Sequence, residues 1–400
     1  MCVVDLDRPW LETPFLFQGF YLQTEQDIRT VQEYCRYVFI DPKRGTKPGH
    51  KKREVVSDDS GLFKLYTQKE PPSASTPFER ELKKADNSHK KTGVLVKGFM
   101  DDIRLGRALN VKAIEEAVTE TVDSVLRNPE ALMWLSLLRK KDELQEQHSI
   151  NVCILAASIG RYLGLPRDEL QKLGICALLH DVGKLQVQDP ILQKWEKLTD
   201  PEMAMIRKHP DFGRVILMSA RDLYSGAIDV AMTHHEHVDG SGYPRGLTSA
   251  RISPFAKIIA IADVYDDIIT MHPYREERTP FEALKVLNTC RGKQFDETLV
   301  KHFTDMLGVF PIGSMVELDS GEVGVVISQV IKNPTQPRLI MVLDRDKKPC
   351  KETLVNLAAL NHTRTNNPLR IVRVLNRGDH GIDPQLVHER GIQFILSMQN

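Results

Sequence analysis

Seven histidines and aspartates recur through the middle of this chain at nearly even steps: His148, His180 with Asp181, His209, His234 with His235, and Asp263. His148 and His180 are 32 residues apart, Asp181 and His209 28, His209 and His234 25, and His235 and Asp263 28. Each interval fits one helix plus its connection, so consecutive helices can each carry a ligand into a shared bundle core. Taken singly, His148 or His209 reads as an ordinary helix histidine. Asp263 is harder to dismiss, because it stands in the apolar run IIAIADVYDDII, where an unpaired buried carboxylate is costly. Adjacent His234 and His235 point about 100° apart on an ideal helix, so they need not meet one ion in the same way. Together the seven point to a buried multinuclear metal site. Imidazole and carboxylate donors suit Fe, Mn, Ni, Co or Zn, and the lack of cysteine donors argues against structural zinc. A carboxylate such as Asp181 can bridge two ions.

The segments carrying these residues have helical periodicity. IRLGRALNVKAIEEAVTETVDSVLRN and ALMWLSLLRKKDELQEQ place apolar residues at i, i+3, i+4 spacing. The pattern continues through FAKIIAIADVYDDIIT without alternating strands, which predicts an all-α domain over residues 92–310. Residues 1–45 read as a small α/β unit. Its aromatics are Trp10, Phe15, Phe17, Phe20 and Tyr21, and a helix capped by Thr24 leads to a strand at Tyr37 to Ile40. Residues 46–91 are rich in charged residues, Ser and Pro and read as a polar linker, partly disordered. Beyond Pro311, SMVELDSGEVGVVISQV, PRLIMVLDRD and LRIVRVL are strand candidates. Residues 311–400 are therefore expected to form a small β appendage and a tail with a short final helix. The expected fold class is mainly α: a helical bundle with a small N-terminal α/β unit and a small C-terminal β appendage.

Four hundred residues exceed one typical core. Lys plus Arg and Asp plus Glu both number 54, a balance that points to no DNA or other polyanion as partner. The six cysteines are scattered and form no CxxC pair, which favours a reducing compartment. The N-terminus lacks the basic and then apolar run of a signal peptide. No stretch is apolar for ~18 residues, so no membrane span is expected, and the expected location is the cytoplasm.

Three motifs stand out: His180-Asp181-Val182-Gly183-Lys184, then THHEHVDGSGYPRGL between Thr233 and Leu247, then Ala262-Asp263-Val264-Tyr265-Asp266. Together they resemble the HD-GYP family, a branch of the HD metal-dependent phosphohydrolases, over about residues 140–310. LDRPWLETPF and the later IDPKRG resemble the N-terminal domain that often precedes HD-GYP domains, and PIGSMVELDSGEVGVV resembles the β segment that often follows them.

The resemblance implies hydrolysis of cyclic di-GMP, to pGpG alone or onward to GMP, in bacterial signalling that governs biofilm, motility and virulence. It implies that one ion takes His148, His180, Asp181 and Asp263. A second would share Asp181 and add His209, His234 and His235. Two divalent ions are expected, Fe or Mn ahead of Ni, Co or Zn. Trinuclear members carry a glutamate four residues before the first histidine. Leu144 stands there in this chain, and neither Glu143 nor Glu146 shares the face of His148 in that way. Many members read R-P-Y-R after the last aspartate, whereas this chain reads His272-Pro273-Tyr274-Arg275. His272 thus replaces an arginine that contacts substrate, and Arg275 is the expected phosphate contact.

Two cations would lower the pKa of a water between them and neutralise charge on the phosphoryl oxygens, with Asp181 central to the reaction. Lys184 is expected to reach a non-bridging oxygen, acting in both catalysis and substrate binding. Gly240, Gly242 and Pro244 are expected to shape a tight loop, with Asp239 and Tyr243 as packing or partner contacts. In this family the loop of Gly242, Tyr243 and Pro244 is thought to contact diguanylate cyclases of the GGDEF type. A homodimer is a further expectation. The competing reading is an adaptor that binds cyclic di-GMP or a diguanylate cyclase with little turnover. A hydrolase acting on another nucleotide is a third.

Overall fold

A computed structural model describes residues 2–6, 20–21, 28–29, 31–32, 35, 38–40, 73–138, 144–192, 194, 196–270, 278–330, 333–363, 368–376 and 378–398. The chain divides into two compact units. One comprises Asp58–Leu307, Ile312–Ser314 and Asn376–Asn400; the other comprises Met1–Ser57, Gly308–Pro311 and Met315–Leu375.

The first unit is helical. Its elements are α1 (Phe78–Arg104), α2 (Val111–Arg127), α3 (Pro129–Leu135), α4 (Leu144–Tyr162) and α5 (Arg167–Leu179), then a 3-10 turn at Val182–Gln186. α6 (Asp189–Leu192), α7 (Asp200–Ile206), α8 (His209–Met218) and α9 (Gly226–Thr233) follow. α10 (Pro254–Ile269), α11 (Pro280–Thr289) and α12 (Glu297–Leu307) complete the bundle. Polar caps start several of these. Asn110 accepts the amide of Ala113, and Thr279 with Glu282 forms a reciprocal capping box. α4 and α10 are buried round nearly their whole circumference, in keeping with the apolar stretches VCILAA and IIAIA at their centres. They pack on each other, and α4 also packs on α5. The two buried helices therefore carry His148 and Asp263, and His180 follows directly on α5.

The expected linker at 46–91 needs correction, because α1 begins at Phe78. Its polar composition hides a buried stripe of Phe78, Glu81, Leu82 and Ala85. Glu81 is fully buried, where it accepts from Ser124 Oγ at 2.9 Å and Arg127 Nε at 2.8 Å on α2. An acid that reads as solvated in sequence is thus a paired core group.

In the second unit, β1 (Cys2–Leu6) pairs antiparallel with β2 (Phe20–Tyr21) and β3 (Val38–Ile40). Trp10, Phe15, Phe17 and Thr24 lie outside the described residues. A separate five-stranded antiparallel sheet has the order β7-β6-β5-β4-β8. Its strands are β4 (Met315–Leu318), β5 (Val323–Ser328), β6 (Arg338–Leu343), β7 (Pro349–Asn356) and β8 (Ile371–Val374). Val316, Val326, Leu339, Met341 and Ile371 build its core with Phe310 and with Leu357, which opens α13 (Leu357–Thr363). Sequence reading misses β7, PCKETLVN, because this half-exposed edge strand presents no apolar run and carries the charged pair Lys351 and Glu352.

The final helix expected in the tail is present, but it belongs to the helical unit rather than to the β appendage. α14 (Pro384–Ser397), capped by Asp383, packs on α1 in the helical unit. His388, Gly391, Ile392 and Ile395 form its buried stripe, and His388 meets Trp134 edge-on. Among the described residues no helix is long and apolar enough to cross a membrane.

Candidate metal centre

The seven residues converge. Asp181 sits where α5 has ended and the 3-10 turn begins, with its two oxygens aimed at different groups. Oδ2 lies 3.6 Å from His148 Nε2 and 3.4 Å from His180 Nε2. Oδ1 lies 3.2 Å from His209 Nε2 and 3.5 Å from His234 Nε2. Asp263 Oδ1 closes the first group at 3.0 Å from His148 Nε2 and 3.6 Å from His180 Nε2. His235 closes the second, with its ring centre 4.9 Å from that of His209. In each group of four, one donor atom per residue lies within 4.8 Å of all the others. His234 and His235 thus serve the same group although they are neighbours in sequence, because α9 ends at Thr233.

Gly183 explains how α8 comes so near. A Cβ there would lie 1.9 Å from the carbonyl oxygen of His209, so only glycine lets the turn after Asp181 press on the start of α8.

The hydrogen bonds fix the ring orientations. His180 Nδ1 bonds to the Ala177 carbonyl at 2.7 Å, His209 Nδ1 to Ile206 at 2.7 Å and His234 Nδ1 to Val230 at 3.1 Å. Each Nδ1 is therefore the protonated nitrogen, and each Nε2 lone pair points inward. His209 and His234 bring two such lone pairs to 3.3 Å. Two acceptors at that distance repel unless a cation lies with them. His180 Nε2 and Asp181 Oδ1 are buried without a hydrogen-bond partner, a costly state that a metal ion relieves. The donor set fits divalent ions.

Charges follow from these contacts. Burial disfavours imidazolium at His148, His180, His209 and His235. At His148, hydrogen bonds to Asp263 and Asp266 overcome burial and raise the pKa to about 10; at His180, the Asp181 and Asp263 charges raise it to about 9. At His209 burial prevails and lowers the value to about 3, and His235 is held well below the usual range for the same reason. Burial opposes the charge on Asp181 and Asp263, yet the surrounding cations and imidazoles hold both well below the ordinary carboxylate range. Lys184 ion-pairs with Asp181; burial works against its charge, but the Asp181 carboxylate outweighs it and keeps the ammonium form.

The loop beside the second group is held by a residue whose role sequence reading misses. Glu236, almost fully buried, accepts the amides of Arg245 at 2.7 Å and Leu247 at 2.8 Å. Gly242 lets the loop fold back, since a Cβ would lie 2.2 Å from the amide nitrogen of His237. Gly240 has φ +84°, Pro244 is exposed, and Asp239 accepts from Ser241 within the loop. Tyr243 stacks on His235, with ring centres 4.7 Å apart and planes 21° apart. The Arg207 guanidinium lies 5.4 Å from the Tyr243 ring centre. Glu146 is paired with Arg104 at 2.9 Å, away from any ligand role. The Leu144 side chain, Glu143, His272 and Arg275 lie outside the described residues.

Comparison with known proteins agrees with this geometry. The HD domain family matches residues 133–299, and a domain of unknown function (DUF3391) matches residues 1–114. A cyclic di-GMP phosphodiesterase of Pseudomonas aeruginosa is 33% identical over 366 residues, which cover 91% of this chain and 87% of that one. The chain belongs to the HD-GYP family. Relatives that match a shorter stretch include the cyclic di-GMP phosphodiesterase response regulator RpfG of Xanthomonas campestris, 38% identical over 148 residues. That match covers 36% of this chain and 39% of RpfG. A 3'3'-cGAMP-specific phosphodiesterase of Vibrio cholerae is 34% identical over 157 residues, covering 39% of this chain and 36% of that one. The HD domain implies divalent-metal dependence, and each of the two His/Asp groups could hold an ion.

Proposed function

We propose that this chain is a two-metal phosphodiesterase that linearises cyclic di-GMP to pGpG and continues to GMP, lowering the messenger in the bacterial cytoplasm. One observation carries the reading: the two oxygens of Asp181 face two separate groups of ligands. That is the arrangement of a carboxylate bridging two ions. The cyclic di-GMP phosphodiesterase of Pseudomonas aeruginosa, alike over most of its length, supports the substrate.

Fe or Mn are the proposed ions. Held there, they would supply Lewis acidity toward the phosphodiester and a water deprotonated near neutral pH. Asp181 fixes the spacing of the two ligand groups. The main-chain carbonyls behind His180, His209 and His234 keep the Nε2 lone pairs directed inward. Lys184, cationic beside Asp181, stabilises charge on a non-bridging oxygen as the P–O bond breaks. Arg275 and His272 are proposed substrate contacts. The exposed Pro244 and Arg245 leave the loop of Gly242, Tyr243 and Pro244 accessible to a diguanylate cyclase partner.

The test is anaerobic turnover by protein loaded with Fe or Mn, with products separated by chromatography and Asp181→Ala as control. Cyclic di-GMP should disappear with the parent and persist with the variant, and 3'3'-cGAMP should be consumed more slowly. Uptake of two equivalents of metal with neither dinucleotide consumed would overturn the enzyme reading in favour of an adaptor.

A further inference from the structure

We propose that Asp266 is a positioning residue for the metal centre: it orients His148 and so governs whether the first ligand group takes its ion. The inference rests on the metal-centre reading above.

His148 is held differently from three of the other histidines. The rings of His180, His209 and His234 are each held by a carbonyl of their own helix or of the residues leading into it. His148 Nδ1 instead faces Asp266 Oδ2 at 2.8 Å. Asp266 lies one helical turn beyond Asp263 on α10, so a single helix supplies both a ligand and the group that orients another ligand.

Asp266 is itself fixed. It is 1% exposed, and Oδ1 accepts from Asn151 Nδ2 at 3.0 Å. Asn151 lies one turn beyond His148 on α4. The pair His148 and Asn151 thus faces the pair Asp263 and Asp266 across two central helices. The Asp266 carbonyl oxygen also accepts from Thr270 Oγ1 at 2.6 Å. Both carboxylate oxygens are engaged, and neither belongs to the two ligand groups. A charged acceptor at Nδ1 fixes the proton there, leaves Nε2 for the ion and makes the imidazole a stronger donor than a carbonyl would.

Full-length Asp266→Asn and parent proteins, stripped of metal, would be titrated with Mn²⁺ by calorimetry. The parent should take two equivalents. The variant should keep the second group's affinity and lose about 10- to 100-fold at the first. The equivalent weakened should be the one that Asp263→Ala removes, so that the double variant loses no more. A purely structural Asp266 would lower the melting temperature and leave both affinities in place, which would overturn the proposal. If Asp266→Asn fails to fold, Asn151→Ala keeps the acid and removes one anchor. A selective loss at the first group is expected there too, and unchanged binding overturns the proposal. A parent that takes up no Mn²⁺ would instead overturn the metal centre itself.

Discussion

The two ligand groups that share Asp181 hold four side chains each, yet they solve the problem of burying them differently. In the first, His148 and His180 face the carboxylates of Asp181 and Asp263, with Asp266 behind. There the acids overcome burial, and the imidazoles rise to about 10 and about 9. In the second, three imidazoles meet one oxygen-bearing partner. Burial wins, His209 falls to about 3, and His235 lies well below its usual range. In the second group the Nε2 atoms of His209 and His234 stand 3.3 Å apart with both Nδ1 protons committed elsewhere. In the first, the buried Nε2 of His180 has no hydrogen-bond partner. Each group thus carries its own geometric sign of an ion.

The sharpest way to break this comparison is to remove one group at a time. His209→Ala should abolish metal uptake at the second group and leave the first, and Asp263→Ala should do the reverse. Each should reduce turnover by more than about a hundredfold, since loss of an orienting partner alone costs about 10- to 100-fold. Metal stoichiometry measured beside turnover tests this. If either variant loses both equivalents, the groups are one indivisible site and the comparison fails.

Gly183→Ala should act on the second group through the backbone. The added Cβ would sit 1.9 Å from the His209 carbonyl oxygen and 2.4 Å from the Gly213 nitrogen, and neither is a side chain that can rotate away. α8 must shift and take His209 with it. A stability loss of about 1–3 kcal/mol is expected from such overpacking, together with weaker metal binding at the second group alone. Thermal melts and Mn²⁺ titration measure the two effects. Equal weakening of both groups would show that the turn moves, rather than α8.

That these seven residues cluster is legible because their types carry chemistry and their spacing matches successive helices. The groups that hold them are not. Asp266 reads as one of two adjacent acids in VYDDII, and only its place three residues after Asp263 hints at a shared face. Main-chain acceptors at Ala177, Ile206 and Val230 have no signature in sequence at all. Glu236 reads as the acid after two histidines, although its work is to fasten amides nine and eleven residues further on. The same limit applies to the fold. Apolar periodicity exposed α4 and α10, but the pairing of Glu81 with Arg127 and Ser124 lies across two helices, and the start of α1 was hidden with it.

The smallest expected effect concerns Tyr243, whose ring packs nearly parallel to His235. An aromatic pair contributes about 0.5–1.5 kcal/mol beyond its buried area, so Tyr243→Leu should weaken ion binding at the second group by about two- to tenfold. Among the described residues no tyrosine stacks on a histidine of the first group, which should not change. Tyr243→Phe keeps the ring and should match the parent in the same Mn²⁺ titration. If phenylalanine is as damaging as leucine, the hydroxyl rather than the stack supports His235. The loop would then tune the second group through a polar contact, and the difference between the two groups would extend to how their outermost histidines are held.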